Sequence, residues 1–375
     1  MVRHTGANME TVRKNNRAAI LKYINDTGAV SRKDLADATG LTPAAVTQIC
    51  NDLIAEGLLE ETGMNAKSRG AGRKKILLDI AYQRSYVYAI SIDSEETVVA
   101  LCNLRGECIK SRKCDTRTDL SPEEFLEQIA HICQEISKEQ SALVDGIIAV
   151  GVSVPGLVDS TTGISKHAYG IWNREVAVAD ILSQHLDYPI YVEKNVNALA
   201  TAELYFGIGK EYDNLMLIKW GPGVGCAMVI EQKIYEGRHN LAAELGHFIV
   251  KPGGEVCSCG RRGCLETRVS YQALQRIHPF AVADFGKALA QYTELSEPLD
   301  LFARSIVNSA TMIAPDRIVL TGELFADETV RTRLIALCKS YDDSFGEQRI
   351  LYSPLSNRAD YVGAVATCAK HLLFT

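Results

Sequence analysis

One imidazole and three thiols lie close together in the chain: His247, Cys257, Cys259 and Cys264. Gly253, Gly254, Gly260 and Gly263 interrupt the stretch, and glycines let a backbone fold back so that separated ligands converge on one point. One nitrogen and three sulfurs form a tetrahedral set suited to structural zinc and closed to catalytic water. Thiolates are too soft for calcium or magnesium. A chance cluster in a reduced loop and a disulfide are the competing readings. Three of the chain's 11 cysteines fall within eight residues beyond a histidine, which favours the metal. The odd number of cysteines, and an N-terminus without an apolar signal segment, lead us to expect a reducing cytoplasm, where disulfides are rare.

The same stretch opens with Glu244-Leu245-Gly246-His247 and closes with Gly263-Cys264-Leu265-Glu266. Glu-x-Gly-His followed by Cys-x-Cys-Gly-x-x-Gly-Cys-x-Glu resembles the signature of the ROK family (repressors, open reading frames of unknown function, and sugar kinases). The resemblance runs from about Tyr86 to the end. It implies that His247 gives one ring nitrogen to zinc and the other to a sugar hydroxyl, and that Glu244 and Glu266 also hold the sugar. A metal on one nitrogen fixes the tautomer and direction of the other, so the ring becomes a rigid hydrogen-bonding group.

The elements that a kinase of this family needs for ATP are damaged. A phosphate loop of the form Asp-x-Gly-Gly-Thr is replaced by Asp93-Ser94-Glu95-Glu96-Thr97, where two carboxylates stand in place of backbone that should approach phosphate. A second turn keeps its glycines in Trp220-Gly221-Pro222-Gly223-Val224-Gly225, but Pro222 removes a hydroxyl and an N–H. A third, usually three glycines, reads Thr321-Gly322-Glu323. The family's Glu-Asn-Asp-x-Asn, whose Asp is the general base, is here Glu193-Lys194-Asn195-Val196-Asn197. An amide is no general base at neutral pH. Lys194 and Asn195 remain candidates for the sugar site, and a cation at Lys194 would favour a sugar carrying a carboxylate or phosphate. A solvent-facing lysine is the other reading of Lys194.

The first eighty residues are of another kind. Residues 16–25 have apolar side chains at helical spacing, Ser31 and Asp34 form a capping box for 32–38, and Thr42-Pro43 starts a third helix through Val46, Ile49, Leu53 and Ile54. Residues 58–61 and 75–78 read as two strands around a tip of glycines and cations. Three short helices and a hairpin make a winged helix-turn-helix, whose third helix enters the major groove. Thr42, Ala44, Thr47, Gln48 and Asn51 would face the bases, with Arg69, Arg73 and Lys74 of the wing on phosphates or a minor groove. A module that docks on protein is the alternative. Residues 1–80 hold 12 Lys+Arg against 9 Asp+Glu, whereas the rest hold 28 against 37, so a basic head sits on an acidic body.

From Tyr86 the pattern turns to strands at 86–93, 97–103, 107–114 and 147–152, with a helix opened by Ser121-Pro122. The expected class is α/β: a winged helix-turn-helix at 1–80, then a two-lobed actin-like ATPase/sugar-kinase (ribonuclease H-like) body with a zinc loop. Its first lobe is 81–200 with the C-terminal helix 361–375, and its second lobe is 201–360. No apolar run approaches the ~20 residues that span a bilayer. The function expected is a sugar-responsive DNA-binding regulator, acting as a repressor on a double-stranded operator, in the cytoplasm, as a homodimer or dimer of dimers with structural zinc and a sugar effector. An atypical sugar kinase is the alternative.

Overall fold

The computed structural model describes residues 8–64 and 76–375. The head begins with helix α1 (Met9–Thr27), capped by the Asn8 side chain on Glu10 N–H and stopped by Gly28 at φ 81°. Residues 16–25 lie inside it, but it starts a further seven residues earlier. That first part buries nothing. It is fastened to the third helix by Arg13–Asp52 at 2.8 Å, and just beyond it Arg17 pairs with Glu56 at that helix's end at 2.6 Å, contacts that no periodicity reveals. Strand β1 (Val30–Ser31) leads into α2 (Arg32–Thr39), where Ser31 and Asp34 form the expected capping box. Thr42 caps α3 (Pro43–Ala55), which buries Val46, Ile49, Cys50 and Leu53. Strands β2 (Leu59–Met64) and β3 (Ile76–Ile80) are antiparallel neighbours, and β1 completes the small sheet on the other side of β3. The cations expected at the wing tip, Arg69, Arg73 and Lys74, lie outside the described residues.

The first body sheet is built from β4 (Tyr86–Ile92), β5 (Glu96–Asn103), β6 (Cys108–Asp115), β7 (Ile147–Val154) and β10 (Ile190–Lys194) in the order β10-β7-β4-β5-β6. β7 runs parallel to both β4 and β10, and β5 and β6 fold back antiparallel. The strands of the parallel part are apolar almost throughout, as strands covered on both faces must be. On one face lies α4 (Pro122–Glu139), with Ser121 and Glu124 in a capping box and Phe125, Leu126, Ile129, Cys133 and Ile136 buried. A hairpin of β8 (Leu157–Asp159) and β9 (Ile164–His167) and helix α5 (Val178–Ser183) lead into β10. Helix α6 (Asn195–Phe206) follows β10 directly and runs across the expected 200/201 division.

The second sheet contains β11 (Leu215–Trp220), β12 (Val224–Ile230), β13 (Lys233–Ile234), β14 (Arg317–Thr321) and β15 (Ile350–Tyr352) in the order β13-β12-β11-β14-β15. Its covering layer is α7 (Glu266–Val269), α8 (Tyr271–Ile277), α9 (Phe285–Gln291), α10 (Ser296–Ile313) and α11 (Glu328–Tyr341). Trp220 is at the centre of that core, with the rings of Phe285, Phe302 and Phe325 between 4.8 and 5.4 Å away. The last helix, α12 (Ala359–Leu373), returns to the first sheet, as expected, and packs on β4, β7 and α6. A single apolar cluster joins Ile20, Leu21, Leu35 and Leu53 of the head to Val87 and Ala89 of β4 and Val365 and Cys368 of α12. Among the described residues no helix is long and apolar enough to cross a membrane.

α12 reaches the sheet because Gly151 has no side chain. A Cβ there would sit 2.0 Å from the Ala364 carbonyl oxygen and 2.9 Å from the Cys368 sulfur. Gly151→Ala must therefore push helix from sheet. The expected loss is ~1–3 kcal/mol of stability, the usual cost of overpacking, read as a lower midpoint in chemical denaturation.

Candidate metal centre and ligand pocket

His247 and the three cysteines come together as their spacing implied. His247 lies on a tight turn, Leu245–His247, and is buried. The cysteines lie on a loop folded by short bridges, Ile249 with Cys264 and Val256 with Arg262. Gly263 makes the fold-back possible: at φ 75°, a Cβ on it would lie 1.8 Å from the Lys251 carbonyl oxygen. The four ligand atoms are all within 4.8 Å of one another. Cys257 Sγ is 3.5 Å from His247 Nδ1, and Cys259 Sγ is 3.7 Å from Cys264 Sγ. Bonds of ~2.0–2.3 Å to a tetrahedral zinc put ligand atoms roughly 3.5–3.8 Å apart, so these two edges match a zinc set, which the other pairs reach by closing up from at most 4.8 Å. Burial holds the His247 imidazole below its ordinary range, which keeps it in the neutral form that can bind a metal. Burial also raises the thiols of Cys257 and Cys264, so a metal must displace protons to enter.

The other ring nitrogen of His247, Nε2, lies 3.6 Å from Glu244 Oε2. The second Glu244 oxygen takes an ion pair from Lys194 Nζ at 2.5 Å. Lys194 ends β10 in the first sheet, so the pair crosses the cleft, and only 6 % of the residue is exposed. Lys194 is therefore not a solvent-facing strand end. It is also not a spare positive charge, because Glu244 already neutralises it. Glu266 Oε2 accepts the Val224 N–H at 2.9 Å. Gly223 leaves room for that carboxylate, since a Cβ there would come within 2.8 Å of the same oxygen. Burial raises the Glu266 carboxyl. Asn195, at the start of α6, accepts the Val196 N–H with its side-chain oxygen at 2.8 Å. Lys194, Asn195, Glu244, His247 and Glu266 all line one cavity of about 260 Å³.

The cavity also has walls that sequence reasoning did not identify. The Tyr169 ring stands edge-on to His247 at 5.1 Å, and no local pattern singles it out. Lys219, the last residue but one of β11, pairs with Asp93 across the cleft. Burial opposes the charge on Asp93, but the Lys219 ammonium prevails and holds the carboxyl below its usual range. The acidic loop 93–97 is not left to uncompensated repulsion. Lys219 and Lys113 neutralise Asp93 and Glu96, and Glu95 accepts from Gln272 Nε2 on α8 at 2.9 Å. The stretch that would receive phosphate is instead held by side chains from its own sheet and from across the cleft. The turn at Gly221 is likewise occupied, with its Val224 N–H given to Glu266 and its Gly221 carbonyl to Tyr271 N–H.

In the head, Thr42, Ala44, Thr47, Gln48 and Asn51 are all exposed along α3 and its cap. Three of them have prior engagements, Thr42 as the cap of α3, accepting from the Ala45 N–H at 3.3 Å. The Thr47 hydroxyl donates to the Pro43 carbonyl at 2.7 Å, and the Asn51 side chain accepts from Arg32 at 3.2 Å.

The ROK family profile matches residues 87–371, and a winged helix-turn-helix DNA-binding profile matches residues 14–60. A xylose repressor of Caldicellulosiruptor bescii is 24% identical over 96% of each chain. A solved ROK family transcriptional regulator, described as a homolog of the E. coli MLC protein, superposes with TM-score 0.82 at 23% identity over 97% of each chain. A solved ROK family glucokinase from Streptomyces griseus, in complex with glucose and AMPPNP, aligns with TM-score 0.59 at 24% identity; it covers 75% of this chain and 98% of its own.

The filled loop and Asn195 give a direct expectation. Calorimetric titration with ATP and magnesium should show no binding, and Asn195→Asp alone should create no phosphoryl transfer to any hexose. Loss of the base and loss of the nucleotide site are separate defects. Micromolar ATP binding to the unaltered protein would overturn this account of the cleft.

Proposed function

The chain belongs to the ROK family, and from that premise we propose that it is a sugar-responsive repressor that binds a double-stranded DNA operator through its head. It is a regulator rather than an enzyme. The observation that carries this reading is the joining of two parts: an exposed recognition face on α3, and a body whose cleft keeps a polar pocket while its nucleotide loop is tied up. The domain division 1–80, 81–200 with 361–375, and 201–360 goes with it. Gln48 reads a base edge, Thr42, Ala44, Thr47 and Asn51 fit the groove around it, and Arg69, Arg73 and Lys74 hold phosphate or the minor groove. A twofold operator calls for two heads, hence a homodimer or a dimer of such dimers.

Zinc is the metal we assign to His247, Cys257, Cys259 and Cys264. Its part is structural: it fixes the loop and points His247 Nε2 at the pocket. Glu244, Glu266 and that nitrogen then meet the sugar hydroxyls already in position, which lowers the ordering cost of binding. The Lys194–Glu244 pair leaves no free cation at this point, so a neutral sugar suits the pocket better than an acidic one. A sugar shifts the protein between states only by its differential affinity for them. We assign the unliganded state to the operator.

Genomic DNA selection with the full chain tests the first claim: no salt-dependent enrichment of any sequence would remove the regulator reading. Arg73→Ala should weaken all sequences alike and lower the salt slope by about one, whereas Gln48→Ala should relax preference at one base position. Elemental analysis should find about one zinc per chain, absent in Cys259→Ser. In a thermal-shift screen, a stabilising sugar should lose its effect in both Glu244→Ala and Glu266→Ala. A sugar that stabilises those variants as strongly as the parent binds elsewhere.

A further inference from the structure

We propose that Cys102 and Cys108, facing each other across the β5–β6 hairpin, are a reactive thiol pair that hydroperoxide converts to a disulfide. Both are free, Cys102 buried and Cys108 exposed. The ladder makes Cys102 the direct partner of Cys108 after a register shift that leaves Ile109 unpaired. Without that bulge Cys102 would face Ile109 instead of Cys108. The next position is closed by Asn103 N–H donating to the Glu107 carbonyl at 3.0 Å. Cys102 and Cys108 thus occupy the neighbouring site, where facing residues of an antiparallel pair come closest, ~4.5 Å between Cα atoms and inside the range a disulfide accepts. The connecting turn is already rigid. Asn103 is fully buried, and its side-chain oxygen accepts from the N–H groups of Arg105 and Glu107, both at 3.0 Å.

The two thiols have different tasks. Cys108 is brought down to about 6, first by the Cys102 thiol and then, against burial, by the Ser111 hydroxyl and the Lys110 N–H. It is the accessible nucleophile, while Cys102 is raised by Cys108 and by burial and holds its proton. The Cys108 thiolate attacks one peroxide oxygen, the O–O bond breaks, and hydroxide leaves, giving a sulfenic acid on Cys108. Cys102 then attacks the Cys108 sulfur, its proton neutralises the departing hydroxide, and an S–S bond forms. The first hydroxide takes up the proton that Cys108 gave to solvent on ionising, so the pair loses two electrons and the peroxide becomes two waters. Cys102 also belongs to the apolar cluster shared by the head, β4 and α12, so the modification falls at the joint between head and body.

The test uses the full chain, reduced, desalted and treated with equimolar hydrogen peroxide at pH 7. Free thiols are then alkylated and the protein is cut with trypsin, which separates the two cysteines after Arg105. The expected first product joins the peptides carrying Cys102 and Cys108. Before oxidation, Cys108 should react with iodoacetamide roughly tenfold faster than the half-buried Cys114. Cys108→Ser should abolish the link. Cys102→Ser should leave a sulfenic acid on Cys108 that dimedone captures, which keeps the proposal testable if the double-thiol form is hard to isolate. Alkylation of Cys108 no faster than Cys114, or Cys102 joined first to Cys368 on α12, would overturn it.

Discussion

Two lysine–carboxylate pairs hold the cleft of this protein, and they are placed reciprocally. Lys194 of the first sheet reaches Glu244 of the second lobe, and Lys219 of the second sheet reaches Asp93 of the first. Each lobe contributes one cation and one anion, so neither would tolerate the other's removal. The Lys194–Glu244 pair is the drier, with side-chain exposures of 8% and 18%. Taking away one member of such a pair leaves the other charge buried and uncompensated, at a cost of ~3–5 kcal/mol. Geometry at the pocket follows from this constraint. Glu244 is held from one side by Lys194 and from the other by the His247 ring, and His247 is held in turn by its place among the thiols.

The same pairs explain how a kinase scaffold can lose its nucleotide and still keep its shape. In a kinase a phosphate chain and its metal join the lobes across the cleft. Here Asp93, Glu95 and Glu96 would repel a triphosphate, but they are not left to repel one another. Lys219, Gln272 and Lys113 absorb them. Lys219 and Gln272 now make the bridge between the lobes, on the Asp93 side of the same cavity that Glu244, His247 and Glu266 line.

Much of this was legible in the sequence wherever the physics is local. Ser31 with Asp34, Thr42 with Pro43, and Ser121 with Glu124 announce helix starts because a cap is satisfied within four residues. The metal set was legible because its ligands and the glycines that fold them lie in one loop. The first seven residues of α1 were not, since what ties them down is Arg13 on the distant Asp52 carboxylate, with Arg17 on Glu56 just beyond them. Lys219, Tyr169 and the Cys102–Cys108 pairing were equally hidden. The first two act across the cleft, and the third depends on a one-residue bulge that no alternation of side chains records.

Helix α6 has a mechanical consequence. It begins at Asn195, in the wall of the pocket, and its other end meets the head: the Tyr205 carbonyl accepts from Asn25 of α1 at 2.8 Å. The same residue of α1 is clasped by Tyr82 at 2.8 Å and Lys210 at 2.9 Å. Twelve helical residues make a stiff rod of ~18 Å. A tilt of a few degrees at the pocket end becomes a displacement of about an ångström at the far end, with no loop between to absorb it. The head is therefore coupled to the cleft through this rod as well as through the apolar cluster it shares with β4 and α12.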